Sequence, residues 1–232
     1  MERLEIIAVD GIGEVSEGAD LARLIAEATE AQGTPLVDGD IVVVTQKIVS
    51  KAEGRIVDCP DDAARLQLAI DEAVRVLRRR GDLVITETSH GFVCANSGVD
   101  ASNLPEGKAA LLPIDPDRSA ARIRSGLAET ADVGVLVTDT FGRAWRLGLT
   151  DVAIGVAGVA PIVDLRGTKD WSGHELAVTE IAVADEIAGA AELVMGKASG
   201  CPVAIVRGYS GPRSIDASGT QLVRPPSEDL FR

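Results

Sequence analysis

At 232 residues, with 46% hydrophobic and 25% charged side chains, the chain can bury a substantial core as one compact unit or two intimately joined lobes, and disorder is not the expectation. A formal net charge of −13 repels polyanions over the surface as a whole, which argues against a nucleic-acid groove or an anionic membrane surface; small anions can bind only where basic side chains or a metal reverse the local field. Three scattered cysteines without a CxxC pair, no signal-like amino terminus and no apolar run near the roughly 20 residues that span a bilayer fit a soluble protein of a reducing cytoplasm.

Residues 4–9 alternate too little for a half-exposed strand and predict a buried one, followed by a turn at 10–13. Leu21, Leu24, Ile25 and Ala28 recur at helical spacing behind Asp20, a side chain suited to an N-cap, so a helix is expected over 20–32. Gly39 introduces a strand over 41–44, and strand, helix, strand begins an α/β arrangement. Residues 61–80 set Leu66, Ile70, Val74 and Leu77 on one helical face and close on Arg78, Arg79 and Arg80, where cations complement a helix dipole. A strand is expected over 83–87, then a strand and functional loop within the glycine-, asparagine- and serine-rich run 90–103. A strand over 109–114, a helix over 115–129 and a strand over 133–137 come next. The small apolar run 152–163, punctuated by glycine, matches no element clearly; 176–195 carries the longest helical pattern, 202–206 a last strand and 209–220 a polar loop. With no internal repeat or linker, residues 1–232 read as one domain-like unit of α+β or mixed α/β structure, with mixed sheets and flanking helices.

Several short motifs nearly match known patterns. Gly11 and Gly13 begin a dinucleotide-binding fingerprint whose third glycine would fall at Ser16. Gly196-Lys197 resembles the end of a phosphate-binding loop, but its first glycine would be Ala191 and Ala198 follows in place of Ser or Thr, so the pair reads as a helix C-cap. His90 and Cys94 share a face of a strand; a buried thiol beside a hydrogen-bonded histidine is preferred to a reactive dyad. No spacing of Cys, His and acidic residues resembles a zinc site.

Asp100 and the Asp139-Thr140 pair both follow apolar strands. Convergent strand ends would gather two carboxylates and a hydroxyl into a hard, oxygen-rich site suited to Mg²⁺ or Mn²⁺; otherwise Asp139 caps a turn and Asp100 forms an Asx-turn. Composition alone does not choose between them. Lys51, Arg143, Arg146 and Arg207 are cations that could surround such a site, although each taken singly reads as a surface charge or ion pair.

The runs TQKIVSKAEG (45–54), HGFVCANSGVDASN (90–103) and TDTFGRAWR (138–146), with ELAVTE (175–180), ADE (184–186) and PVAIVRG (202–208), resemble the coenzyme F420-0:L-glutamate ligase family in order and almost end to end. These are the gamma-glutamyl ligases that add glutamate to the deazaflavin coenzyme. The resemblance implies a GTP-dependent, divalent-metal-dependent ligase of mixed α/β structure, working as a homodimer with the nucleotide in a groove near the dimer interface. Its substrates would be GTP, coenzyme F420-0 and L-glutamate, the coenzyme's carboxylate being activated as an acyl phosphate before the amine attacks. Asp100 and Asp139 match the family's metal ligands, with Thr140 beside a second metal; Mg²⁺ or Mn²⁺ are the implied ions and K⁺ a further candidate. Gln46, Lys51, Asn103 and the loop of Ile12, Gly13, Glu14 and Val15 match positions that contact GTP, with Gly13 standing where proline is common. Arg207 and Gly208 are the last residues carried over. Arg143 and Arg146 are assigned, from their charge, to substrate phosphate or carboxylate groups. The closing run 227–232 resembles the point where bifunctional actinobacterial members continue into a nitroreductase-like domain.

Two other classes compete with this reading. A metal-dependent phosphohydrolase with Asp139 as nucleophile would need a second aspartate two residues on, where Phe141 stands. A non-catalytic nucleotide- or deazaflavin-binding protein would not need Asp100, Asp139, Thr140 and Lys51 together.

Overall fold

A computed structural model describes residues 3–230; Phe231 and Arg232, the end of the run compared above with the bifunctional enzymes, lie outside the described residues. The chain opens with β1 (Glu5–Ala8) and α1 (Leu21–Ala31), whose N-cap is Asp20, its carboxylate accepting from the Arg23 N–H. Next come β2 (Ile41–Thr45), α2 (Gln46–Ala52), β3 (Ile56–Asp58), α3 (Asp62–Asp71) and a meander of β4 (Ala73–Arg80), β5 (Leu83–Thr88) and β6 (Val93–Ala95). After β7 (Lys108–Ala110), α4 (Pro116–Leu127) begins with proline in its first turn and Asp115 as N-cap. A long hairpin of β8 (Gly134–Gly142) and β9 (Leu149–Ala157) leads to a small ribbon of β10 (Val163–Asp164) and β11 (Glu180–Ile181), then α5 (Val183–Met195) and β12 (Val203–Arg207).

The central sheet runs β1-β12-β2-β8-β9, and only β2 and β8 are parallel. β2 has no polar residue before Thr45 because both of its faces are covered. Val42 and Val44, with Val135 and Val137 of β8, pack against Ile25 of α1 and Ile123 and Leu127 of α4. Ile41, Val43 and Leu136 point the other way, against Ile187, Ala191 and Met195 of α5. Each such aliphatic side chain removed from water contributes roughly 2 kcal/mol. The smaller β4-β5-β6 and β3-β7 sheets close over a third core of Cys59, Ala69, Val84, Val99, Ala109 and Leu111. The result is an α+β fold with helices on both faces of a mixed sheet.

Two helix expectations need correction. The pattern over 61–80 is helical only to Asp71, and Ala73–Arg80 is an edge strand paired with β5. Val74 fits a helical period with Ile70 and Leu77 but also alternates with Val76 about Arg75, and β-branched residues beside a partner strand settle the ambiguity. The three arginines therefore approach a β-hairpin tip rather than end a helix. Likewise α5 starts at Val183 instead of 176, because Glu180 and Ile181 return along β10. The ladder of β7 ends at Ala110, short of the expected 114, whereas β8 runs five residues beyond the expected 137. The unassigned segment 152–163 continues β9 and then turns into β10. No helix among the described residues is long and apolar enough to cross a membrane.

Candidate active site

In a sheet with a parallel pair, groups that follow the carboxyl ends of both strands emerge side by side, and ligands favour that edge. Here Thr45 pairs with Thr138 at the end of the β2–β8 ladder. Beyond it β2 becomes α2, while β8 continues beside β9 past a bulge that shifts register between Val137 and Thr138. Alternation then presents Asp139 on the side of Val135 and Val137, and Thr138 and Thr140 on the side of Leu136. One strand end thus feeds two faces.

On the first face, Asp139 lies near Asp100 and the buried Cys94. Burial, reinforced by the charges of Asp100 and Asp151 and opposed by the Thr140 N–H and Lys197, pushes the Asp139 carboxyl up to about 7. Burial and the Asp139 charge push the Cys94 thiol up to about 12, so it is an inert apolar filler and not a nucleophile. Its proposed histidine neighbour is occupied elsewhere, with His90 Nε2 at 3.0 Å from the Pro113 carbonyl. Asp100 has a different environment. Lys47 Nζ lies 2.7 Å from its Oδ2, and Ser102 donates its N–H to Oδ1 at 2.7 Å and its hydroxyl to Oδ2 at 3.0 Å. Burial alone would raise Asp100, but the ammonium and Ser102 donors outweigh it and hold the carboxyl below its ordinary value. The Asx-turn expected as one alternative for Asp100 is present, with the Lys47 ammonium on the carboxylate's other oxygen.

On the second face, Thr140 sits opposite Asp151 of β9 and donates its hydroxyl to Oδ1 at 2.6 Å. Asp151 is 1% exposed and is neutralised by Lys197 Nζ at 2.7 Å; the same ammonium also donates to the Thr140 hydroxyl. Lys197 follows Gly196, the left-handed C-cap of α5, and its carbonyl accepts from Asn103 Nδ2 at 3.4 Å.

The amino-terminal loop adjoins α2. Lys51 Nζ bonds Glu14 Oε1 at 2.6 Å, while Ile12 and Val15 are core side chains, so Gly13 and Glu14 are what the loop presents outward. Gln46 is buried at the start of α2, its amide oxygen accepting from Ser50 at 2.8 Å. Arg207 and Gly208 stand apart from this group. Arg207 follows the residue paired with Ile41 and forms a double hydrogen bond with the buried Asp40, at the opposite end of β2. Five strand residues at about 3.3 Å each separate that end from Thr45, about 16 Å. Gly208 is held at φ +90 with its Cα against the Arg3 carbonyl, where any Cβ would collide. Arg143 and Arg146 ride on the exposed tip of the β8–β9 hairpin, where the Arg143 guanidinium donates to the Leu147 carbonyl at 3.0 Å.

The donors beside Asp139 are carboxylates and hydroxyls, the chemistry that Mg²⁺ or Mn²⁺ selects, and the raised Asp139 marks a place short of positive charge. Among the described residues no group of three or more His, Cys, Asp or Glu side chains is arranged to hold a metal ion unaided. That suits Mg²⁺ sites in which one or two carboxylates share the ion with substrate phosphates.

The family model for F420-0:gamma-glutamyl ligase matches residues 11–208. The chain belongs to that family. It is 41% identical to the coenzyme F420:L-glutamate ligase of Methanothermobacter thermautotrophicus over 249 aligned positions, covering 99% of both chains. Against the proteins of the same name from Methanocaldococcus jannaschii and Methanopyrus kandleri it is 39% and 41% identical, covering 99% and 94% of this chain and 97% and 94% of theirs.

Sequence alone does not single out Lys47, Asp151 or Lys197 as site residues of this ligase-family chain. Asp151 becomes legible once the strand is carried on through Thr140, because the hairpin register then sets a carboxylate opposite a hydroxyl. Lys197 is visible only as part of a helix terminus, and its side-chain direction depends on how α5 docks. Lys47 lies inside a matched run, one position after Gln46, and only the turn from β2 into α2 aims it at Asp100.

Proposed function

We propose that this chain is a GTP-dependent ligase that joins L-glutamate to coenzyme F420-0 in the cytoplasm, working as a homodimer, with the coenzyme's carboxylate activated as an acyl phosphate. The observation that carries this reading is the gathering of Asp100, Asp139 and Thr140 beyond the β2–β8 ladder with lysines held by neighbouring carboxylates, Lys47 on Asp100 and Lys197 on Asp151, while Lys51 on α2 meets Glu14 of the amino-terminal loop, in a chain of net charge −13. The relatives' names supply the substrates, and the cations supply a place for anionic ones.

Amide formation from a free carboxylate is uphill in water, so the leaving oxygen must first be converted to a better leaving group. Lys51 and Lys47 would act as point charges on nucleotide phosphates, with Asn103 and the backbone of Gly13 and Glu14 fixing their register. Asp100 and Asp139, with Thr140 beside them, would hold Mg²⁺ or Mn²⁺, which when bound neutralises phosphate charge during transfer. Arg143 and Arg146, at the hairpin tip, would meet the carboxylate and phosphate groups of the coenzyme and glutamate, and Cys94 and Phe141 would help keep water from the reactive intermediate. Arg207 and Gly208 hold the far end of the sheet together in this scheme.

Coenzyme precursor labelled with ¹⁸O in its carboxylate tests the chemistry. An acyl-phosphate route transfers one labelled oxygen to inorganic phosphate for each amide formed, and GTP is consumed only when precursor and glutamate are both present. Unlabelled phosphate accompanying genuine product would exclude that route.

A further inference from the structure

We infer that His90, Phe92 and Phe141 are positioning residues, whose stacked rings set the separation of Asp139 from Asp100 and so the fit of the site for Mg²⁺ or Mn²⁺. The inference rests on the metal-dependent reading above and concerns three side chains outside the proposed ligand set.

The two carboxylates belong to different sheets. Asp100 follows β6 of the three-stranded meander and is bridged to Ala110 of β7. Asp139 lies on β8 past Thr138, where β2 has left the ladder and β9 alone of the described strands remains paired with it. A two-stranded ribbon is marginal by itself in water, so that stretch of β8 depends on the side chains packed against it. β6 and β8 share no hydrogen-bonded ladder, and the gap between the two carboxylates is therefore set across a side-chain interface.

The rings are that interface. Phe92 and Cys94 are buried while Val93 and Ala95 are exposed, and Asp139 and Phe141, two residues apart on β8, share a face in the same way. Cys94 lies near Asp139, and Phe92 meets Phe141 edge to face, with centroids 6.3 Å apart and planes at 68°. His90 stacks on the other side of the pair, 5.4 Å from Phe92 at 16°. This outer ring is fixed in turn. His90 Nε2 lies 3.0 Å from the carbonyl oxygens of both Pro113 and Ile114, which can only accept, so Nε2 carries the proton and Nδ1, at 3.3 Å, accepts from the Thr88 hydroxyl. Pro113 and Ile114 run into Asp115, the N-cap of α4, whose Ile123 and Leu127 pack with Val135 and Val137 of β8. The row of contacts thus closes on the strand it supports. Ligands need placing to within about 0.5 Å, and a missing ring would let the Asp139 stretch of β8 settle by more than that.

Mn²⁺ binding followed by electron paramagnetic resonance with GDP present, alongside urea denaturation, tests the assignment. Phe141→Leu, which keeps an apolar side chain at a half-buried position, should weaken Mn²⁺ about tenfold or more, whereas Phe141→Tyr, which keeps the ring, should stay within about twofold of wild type. Phe92→Leu should show the same loss, and the double variant should bind no more weakly than the weaker single one, because the rings act as a unit. His90→Gln, which keeps a donor for the two carbonyls but no ring, should weaken Mn²⁺ in the same direction. Rings that merely filled the core would cost stability and leave the Mn²⁺ affinity of the folded fraction unchanged. That result in Phe141→Leu or His90→Gln would overturn the inference and leave the ligase reading standing; if Phe92→Leu does not fold, the two Phe141 variants decide. No bound Mn²⁺ in wild type, with or without GDP, would remove the metal reading and this inference together.

Discussion

Replacing Asp139 with asparagine should make the metal-free protein more stable at neutral and alkaline pH, although it removes a proposed metal ligand. The carboxyl is raised from 3.8 to about 7. Three units at 1.36 kcal/mol each correspond to about 4 kcal/mol of disfavoured charge, an upper figure because the denatured chain is not free of interactions. The sign follows from proton binding. Below 3.8 the group is protonated in both folded and unfolded chains and costs nothing; between 3.8 and 7 the folded chain keeps a proton that the unfolded chain has released, so stability falls as pH rises; above 7 the loss is complete. Asparagine preserves shape, can still accept from the Thr140 N–H and has no charge to strand. Urea denaturation of both proteins in chelator at pH 4, 6 and 8 isolates the effect, since other titrating groups cancel in the difference. The variant should match wild type near pH 4 and exceed it by roughly 2–4 kcal/mol at pH 8. Added Mn²⁺ at a hundred times its dissociation constant should restore about 2.7 kcal/mol to wild type alone. A variant less stable than wild type at pH 8 in chelator, or two parallel pH profiles, would refute the charge-starved description of Asp139.

Lys51→Ala should weaken binding of GDP with Mg²⁺ about tenfold, the value of one charge-assisted phosphate contact, as read by calorimetric titration; unchanged affinity would reduce Lys51 to the partner of Glu14. Arg207→Met should cost about 3–5 kcal/mol, because it leaves the fully buried Asp40 charge unpaired, yet GDP affinity of the folded fraction should not change. Chemical denaturation and the same titration check both halves, and a selective loss of GDP binding would return Arg207 to the nucleotide site.

Much of the architecture is legible in the chain because its signals are local. Asp20 caps the helix it precedes, Gly39 leads into the strand it announces, and the apolar runs of β2 and β8 are those of strands covered on both faces. Local pattern fails where two periods coincide: Val74 satisfies a helical spacing with Ile70 and Leu77 and a strand alternation with Val76, and only β5 alongside decides. The site divides in the same way. Asp100, Asp139 and Thr140 follow apolar runs that could be read in order, whereas Asp151 and Lys197 enter through hairpin register and helix docking, relations between distant segments that no window of sequence contains. Arg207 shows the converse: its place in a long matched run says nothing about which end of the sheet it occupies.

The strand order also dictates when this site can exist during synthesis. β1 has a single neighbour in the sheet, and that neighbour is β12, the last of the described strands in chain order. Until residues 203–207 slide between β1 and β2, no strand pairing holds β1, the strand that leads into Gly13 and Glu14, even though Lys51, Asp100 and Asp139 have long been translated. Such closure between segments so far apart in sequence is slow, because it must overcome the entropy of a long loop before any pairing rewards it. A nascent chain halted before β12 would hold every proposed metal ligand and an unfinished nucleotide loop, so competence to bind nucleotide should arise in one late step rather than accumulate as the chain grows.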